Sequence, residues 1–304
     1  MEKKLCSILK EVIPEEMIQF NEPMSRHTTF RIGGEADALI KVTSAEQLKK
    51  LVLQLKEKEI PFYVIGNGSN LLVSDAGYRG VILQLDDTFG DVDVRENRLV
   101  VRAGASMAKV AKTALKHSLT GFEFAAGIPG TIGGGVIMNA GAYGGEMKDV
   151  VSKVRYINTD GEITEADNKD MDFGYRYSML KKHPEYIVVE VELILQPGNP
   201  DEIADCMQDL ARRRREKQPL EYPSAGSTFK RPEGYFAGKL IQDAGLSGYS
   251  VGGATVSTKH NGFVINTGGA TAADVKKLIL DVQEKVFEKF QVKMEPEVIF
   301  LGEF

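Results

Sequence analysis

Residues 126–145 read "AGIPGTIGGGVIMNAGAYGG", and the fold turns on what so much glycine is for. Glycine reaches backbone angles closed to other residues and lets main chain lie close to a neighbour or a ligand. Three uses compete: a dinucleotide fingerprint, a phosphate cradle and a plain loop. The Rossmann fingerprint needs G-x-G-x-x-G between a strand and a helix, with an acidic residue about 20 positions later. Neither this stretch nor "GNGSN" at 66–70 has that form, and no GK[ST] follows to make a Walker loop. What survives is a general property: a curled glycine-rich backbone can turn successive N–H groups toward one anion. "GNGSN" follows an apolar run and adds Ser69 and Asn70 as side-chain donors. On the residues alone, a structural loop and an anion nest both stay open.

The flanking segments supply the frame. "SAEQLKKLVLQLKEKEIP" (44–61) has the capping pair Ser44 and Gln47 and apolar residues at Leu48, Leu51, Val52 and Leu55. That spacing predicts a helix with one buried face, stopped before Pro61. "VILQL" (81–85) and "LVVRAG" (99–104) read as strands, and "SMAKVAKTALKHS" (106–118) as a helix. After the glycine stretch come β-rich "VVSKVRYINTDGEIT" (150–164), with a hairpin turn at "TDG", and "YIVVEVELIL" (186–195). "QPGNPDE" (196–202) clusters turn residues and is the best boundary candidate. Beyond it the pattern predicts a helix from Asp201 to about Lys217, a strand in "GFVINTG" and a long helix from Thr271 to about Phe290. The expected architecture is α+β, with a β-rich N-terminal part to about residue 198 and a second α+β part after it.

Composition narrows the function classes. The 304 residues carry a net charge of −5, with 42% hydrophobic and 27% charged residues, an ordinary globular balance. A mildly acidic chain argues against broad binding to nucleic acid or anionic membranes. The first residues lack a signal-peptide pattern, and no apolar run approaches the ~20 residues of a membrane span. Cys6 and Cys206 form no paired motif, and His27, His117, His183 and His260 have no metal-ligand spacing. A cytoplasmic enzyme without a metal is the expectation.

Three further segments carry candidate chemistry. "YPSAGSTFKRP" (222–232) packs serines, a lysine and an arginine into a short loop, "MDFGYRYSML" (171–180) sets Arg176 between two tyrosines, and "EPEVIFLG" (295–302) places Glu297 before an apolar run. Each has a plain counterpart: Ser227 as a turn residue, Arg176 as a cation stacked on Tyr175 or Tyr177, Glu297 as a charge at a strand start. The run Arg212–Arg215 reads as a solvated face near a helix C-terminus, with diphosphate binding as the alternative. Ser227 lacks a G-x-S-x-G context, so a hydrolytic triad gains no support.

Taken in order, "TTFRIGG", "GNGSNLL", the 126–145 stretch, "FGYRYS", "PSAGSTFKRP", "AGKLIQDAGLSGYSVGGATVSTKHNGFVIN" and "PEVIFLG" resemble the UDP-N-acetylenolpyruvoylglucosamine reductase (MurB) family over nearly the whole chain. The shortness and "KRP" are similar to its shorter, type II branch. The resemblance implies an FAD-binding α+β fold of the vanillyl-alcohol-oxidase (PCMH) type over residues 1–198, as subdomains of about 1–75 and 76–198. Residues 199–304 would bind substrate, the last strand returning to the FAD region. FAD would be held without a covalent bond, since "GNGSN" has no histidine.

The same resemblance assigns residues. Gly66, Asn67, Gly68, Ser69 and Asn70 would hold the FAD pyrophosphate, with Leu71 also at the cofactor. Ile128, Pro129, Gly130, Gly133, Gly134, Ile137, Asn139 and Gly141 would line the rest of the cofactor. NADPH would pass a hydride to FAD, which would reduce the enolpyruvyl ether of UDP-N-acetylglucosamine, a small-molecule substrate. Arg176 would hold the carboxylate on which charge develops, Glu297 would polarise the enolate and Ser227 would donate the proton. Tyr143, Lys230, Arg231, His260 and Asn261 would lie near substrate; the family usually has "HANF" where this chain has "HNGF" (260–263). The rivals are an FAD-dependent oxidase of a small alcohol or sugar on the same fold, and a non-catalytic nucleotide-sugar-binding protein.

Overall fold

The computed structural model describes residues 2–304 as two compact units. Of the described residues, the first comprises 2–19, 38–67 and 80–214, and the second comprises 20–37, 68–79 and 215–304. Helices and sheets are mixed in both, an α+β architecture. Among the described residues no helix is long and apolar enough to cross a membrane.

In the first unit, α1 (Glu2–Leu9) and α2 (Ala45–Glu57) precede a parallel pairing of Phe62–Ile65 with Val81–Gln84. α2 buries Leu48, Leu51, Val52 and Leu55, the face its periodicity predicts. Its capping differs in one detail. Ser44 accepts from the Gln47 backbone N–H, but the Gln47 side chain accepts from Thr43, one residue earlier than a reciprocal box requires. α3 (Met107–Lys116) starts at Ser106, whose hydroxyl accepts from the Lys109 N–H.

A five-stranded antiparallel sheet follows, in the order Ile163–Asp167, Val151–Ile157, Ile187–Ile194, Arg98–Arg102, Val92–Arg95. The turn at "TDG" closes where expected. Gly161 has φ +77°, and the Asn158 side chain accepts from the N–H groups of Asp160 and Glu162. The glycine stretch is not all loop, because Ile132–Ile137 forms the short helix α4. α5 (Met179–Lys182) and α6 (Pro200–Lys217) are the last helices of the first unit, which ends within α6 at Arg214. Pro200 suits the first turn of α6, where its missing N–H would have no partner anyway.

In the second unit, Ser224–Ser227, Phe263–Asn266, Ala254–Val256 and Ser250–Val251 form an antiparallel sheet in that order. α7 (Ala237–Asp243) and α8 (Ala272–Phe290) accompany it, and Val275, Leu278, Ile279, Val282 and Val286 of α8 are buried in its core. Thr271 and Asp274 form a complete capping box. A second anchor comes from far away in sequence: both Asp75 carboxylate oxygens accept from α8, at 2.8 Å from Ala272 N and 2.9 Å from Ala273 N. Leu71–Val73 pairs in parallel with Ile299–Leu301.

Candidate active site

Within the first unit the two glycine segments meet. A Cβ built on Gly66 would lie 2.3 Å from Thr131 Oγ1, so only hydrogen fits there. Thr131 is buried and caps α4 by accepting from the Gly134 N–H. Three glycines then follow in α4, and their surroundings differ. A Cβ on Gly133 would sit 3.0 Å from Ala103 Cβ, and one on Gly135 3.1 Å from Met107 Sδ, so both are small because protein packs on them. Gly134 is exposed, and its Cβ would meet only Thr131 Oγ1, at 3.6 Å. A glycine inside a helix costs about 1 kcal/mol relative to alanine, and here no protein contact among the described residues asks for it. A bare strip of main chain is what a flat cofactor needs for close approach, and on this observation the residues present fit a bound flavin. Ile128, Pro129 and Gly130 form the turn before α4, with the Gly130 carbonyl accepting from Met107 N, and Ile137 ends it.

Asn139 is fully buried and its side chain is committed inside the unit. Its Nδ2 donates to Glu146 and to the Gly174 carbonyl, both at 3.0 Å, while its Oδ1 accepts from Lys148 N. The bond to Gly174 ties the glycine stretch to the loop bearing Arg176. That loop is a tight turn: Gly174 and Tyr177 exchange backbone hydrogen bonds of 3.0 and 3.2 Å, leaving Tyr175 and Arg176 at its tip. Arg176 has φ +54°, a left-handed conformation uncommon for a side chain of its size. Its guanidinium lies 5.1 Å from the centre of the Tyr175 ring. Ser178, fully buried, docks the loop through its hydroxyl on the Ile137 carbonyl. The Glu146 carboxyl is held below the usual carboxylate range, first by its bond to Lys148 and further by Asn139 and the positive field of Arg176.

Tyr143 also has a left-handed φ, +54°, and is 43% exposed. It lines a cleft of about 230 Å³ with Phe124, Gly127, Met207, Gln208 and Arg214. Arg214 is where the structure departs from a solvated charge run. Its guanidinium lies 5.9 Å from the centre of the Tyr143 ring and donates to the Gly127 carbonyl. Arg212, Arg213 and Arg215 are exposed as that reading expects, the first two pairing with Asp209 on the surface. Four adjacent arginines carry no mark of which one turns inward; position on the helix decides it.

The second unit assembles another cluster. Ser227 pairs with Phe263 across a β-bulge, since Ser224 and Ser227 are three positions apart while their partners Ile265 and Phe263 are two positions apart. Gly226 supplies the left-handed backbone, φ +74°, and Ser227 emerges exposed. Bulges re-aim side chains in this way beside functional sites. Next to it the Thr228 carbonyl accepts from Glu297 N at 2.8 Å, Phe229 bridges Pro296, and Lys230 N donates to the Glu295 carbonyl. Ser227 and Glu297 thus sit on adjoining backbone segments. Asn70 fixes the second of them, its Nδ2 donating to the Glu297 carbonyl at 3.0 Å. Gly68 is buried with φ +58°, and a Cβ there would fall 2.0 Å from the His27 carbonyl. Leu71 is a buried strand residue opposite Ile299.

Lys230 forms a 2.8 Å ion pair with Glu295. Arg231 lies over the Phe236 ring, 3.9 Å from its centre. His260 Nδ1 accepts from Gly262 N at 3.2 Å, and burial holds the ring below its ordinary basicity. The Gly262 carbonyl accepts from Thr228 N, so the "HNGF" turn is bonded directly to the serine segment. Asn261 Oδ1 is buried with no hydrogen-bond partner among the described residues.

These features define a flavin-dependent oxidoreductase: residues 36–167 match the FAD-binding domain family. Residues 218–301 match the C-terminal domain of UDP-N-acetylenolpyruvoylglucosamine reductase. The chain is 52% identical over its full length to all of the reductase of that name from Caldanaerobacter subterraneus, and 50% identical to that of Clostridioides difficile over 97% of both chains. The solved structure of the reductase MurB from Thermus caldophilus superposes with TM-score 0.79 at 35% identity, covering 92% of this chain and 98% of that one. A glucose dehydrogenase, Phl p 4.0202, shares the fold alone, with TM-score 0.51 at 16% identity over 65% of this chain and 44% of its own. The chain belongs to the UDP-N-acetylenolpyruvoylglucosamine reductase family.

Proposed function

We propose that this protein is the NADPH-dependent flavoenzyme that reduces the enolpyruvyl ether of UDP-N-acetylglucosamine to UDP-N-acetylmuramate, a cytoplasmic step in peptidoglycan precursor synthesis. Family membership supports the reaction. The observation that carries the residue assignment is the bulge presenting Ser227 beside the backbone of Glu297. Residues 1–198 serve the cofactor and 199–304 the substrate. Gly66 to Asn70, the turn Ile128–Gly130, and Gly134 and Gly141 give FAD its close approach, with Gly133 packed beneath them on Ala103.

The chemistry that bound FAD supplies is hydride transfer, from NADPH to the terminal methylene carbon of the enolpyruvyl group. The chain's own residues manage the charge and the proton. As the electron pair of the carbon–carbon double bond moves toward the carboxylate, Arg176 offers a planar fork that matches two carboxylate oxygens. Its tight turn and the Asn139 bond to Gly174 fix the backbone that carries that fork before the reaction, which is when electrostatic stabilisation costs least. Glu297 polarises the enolate, and Ser227 Oγ donates its proton to the carbon bearing the ether oxygen. Lys230 and Arg231 stand a few residues away to stabilise the resulting alkoxide. Tyr143, His260 and Asn261 complete the substrate contacts.

The test is Ser227→Ala in single turnovers. Flavin bleaching by NADPH stays near the wild-type rate, while recolouring by the enolpyruvyl substrate slows by about a hundredfold or more, the usual scale for losing a positioned proton donor. Equal losses in both half-reactions count against the assignment.

A further inference from the structure

The loop after the serine segment carries a feature that proton transfer leaves unused. Tyr235 and Phe236 are adjacent and 47% and 63% exposed, and Phe236 is the most exposed of the large hydrophobic side chains described. Isolated apolar residues on a surface need no explanation. Two adjacent aromatics on a rigid turn are different. Tyr235 N donates to the Pro232 carbonyl at 3.1 Å, closing a turn in which Gly234 takes φ +75°. Arg231 Nε donates to the Tyr235 carbonyl at 3.2 Å, and its guanidinium carbon lies 3.9 Å from the Phe236 ring centre. One ring face is therefore backed by a cation, and a residue still 63% exposed presents the opposite face to solvent. α7 begins at the next residue, Ala237, so Phe236 stands at the N-cap of that helix.

We infer that Phe236, backed by Arg231 and flanked by Tyr235, is a stacking platform for the uracil ring of the UDP-sugar. This rests on the reductase reading above. A planar heterocycle stacks on an aromatic face for about 1–3 kcal/mol, which is roughly a 5- to 150-fold change in affinity. The cation enriches such a site, since a guanidinium stacks on rings and also meets nearby phosphate oxygens. A prebuilt turn lowers the ordering cost of binding. The platform lies inside the reductase-specific segment 218–301 and outside the FAD-binding segment 36–167, which argues for the substrate's base over the adenine of FAD.

The experiment compares wild type with Phe236→Leu and Phe236→Tyr, all FAD-loaded, by titration with UDP and by steady-state turnover. Phe236 is surface-exposed, so both variants keep the fold, and a melting curve checks it. Phe236→Leu, which keeps bulk but loses the ring, raises the UDP Kd and the KM for the enolpyruvyl substrate at least about fivefold. Phe236→Tyr stays within about twofold of wild type, and NADPH-driven flavin bleaching is unchanged in both. Unchanged UDP affinity in Phe236→Leu overturns the platform, as does a rise confined to the NADPH KM, which would place the nicotinamide dinucleotide there instead. Wild type without UDP affinity also overturns it. Failure of the reductase reading is a separate signal: wild type that binds UDP but does not oxidise NADPH with the enolpyruvyl substrate.

Discussion

The 126–146 stretch and the 224–236 segment are both punctuated by glycine and both carry candidate residues, yet they use glycine for opposite reasons. In the first, neighbours demand most of it, Gly134 and Gly144 excepted. A Cβ on Gly145 would fall 2.6 Å from the Phe124 ring, one on Gly133 3.0 Å from Ala103, and one on Gly66, which packs against this stretch, 2.3 Å from Thr131. In the second, space is ample and the backbone demands it: Gly226 and Gly234 have φ +74° and +75°, and a Cβ on either meets no described atom within 4 Å. The first segment is a packed surface that must stay thin. The second is a pair of sharp turns that aim side chains.

The comparison can be broken at Gly66, where the largest effect is expected. Gly66→Ala forces a methyl against Thr131, whose hydroxyl caps α4, and such overpacking costs about 1–3 kcal/mol. Gly66→Asn is worse, because a larger side chain meets the same wall. Thermal melting of the two variants should rank them in that order, and Thr131→Ala should recover part of the loss in Gly66→Ala. No recovery would mean that the contact is not the cause.

At Gly226 the ranking should invert. Ala there pays about 1–2 kcal/mol for the left-handed backbone with no clash, while Asn tolerates that region better. Gly226→Asn is therefore milder than Gly226→Ala, in melting temperature and in kcat, since the bulge that aims Ser227 depends on this angle. The same inverted ranking at Gly66 would collapse the distinction between the two regions.

Gly134 gives a smaller and more pointed effect. Gly134→Ala meets only an ordinary contact at 3.6 Å, so the FAD-free protein should melt unchanged or higher by up to about 1 kcal/mol of helix propensity. FAD affinity should fall about tenfold, the equivalent of about 1.4 kcal/mol. Fluorescence titration of the stripped protein reads it directly. Intact affinity would remove the argument that this exposed glycine is kept bare for the cofactor.

What the sequence discloses follows the same division. α2 and α8 are legible because a buried stripe at helical spacing is a local signal, and the "TDG" hairpin because turn chemistry is local too. α4 is hidden: three consecutive glycines are poor helix formers, and the helix is held by Thr131, Ala103 and Met107, residues outside or at the edge of its own sequence. Arg214 is hidden for a related reason, because its distinction from Arg212 and Arg213 lies in Gly127, some 87 positions away. The bond from Asn139 to Gly174 spans 35 positions and has no pattern to announce it. Motif order named the family and the candidate residues; it could not say which glycines are walls and which are hinges.

The smallest predicted effect concerns acid. Burial keeps His260 from taking up a proton as readily as it would in the unfolded chain, where its ordinary value is 6.5. As pH falls below that value the unfolded state gains the proton first, so stability drops through the interval between 6.5 and the lower folded value. The structure gives the drop a local cause. Nδ1 accepts the Gly262 N–H at 3.2 Å, and a protonated nitrogen cannot accept. His260→Asn separates geometry from titration, because an Asn oxygen can accept from the backbone two residues on without carrying a titratable proton. Melting temperatures at about pH 7.5 and about pH 5.5 should fall further in wild type than in His260→Asn, other acid-sensitive groups being common to both. Equal falls would mean that the turn bonded to Thr228 tolerates the imidazolium, and that the neutral ring is incidental to how the serine segment is held.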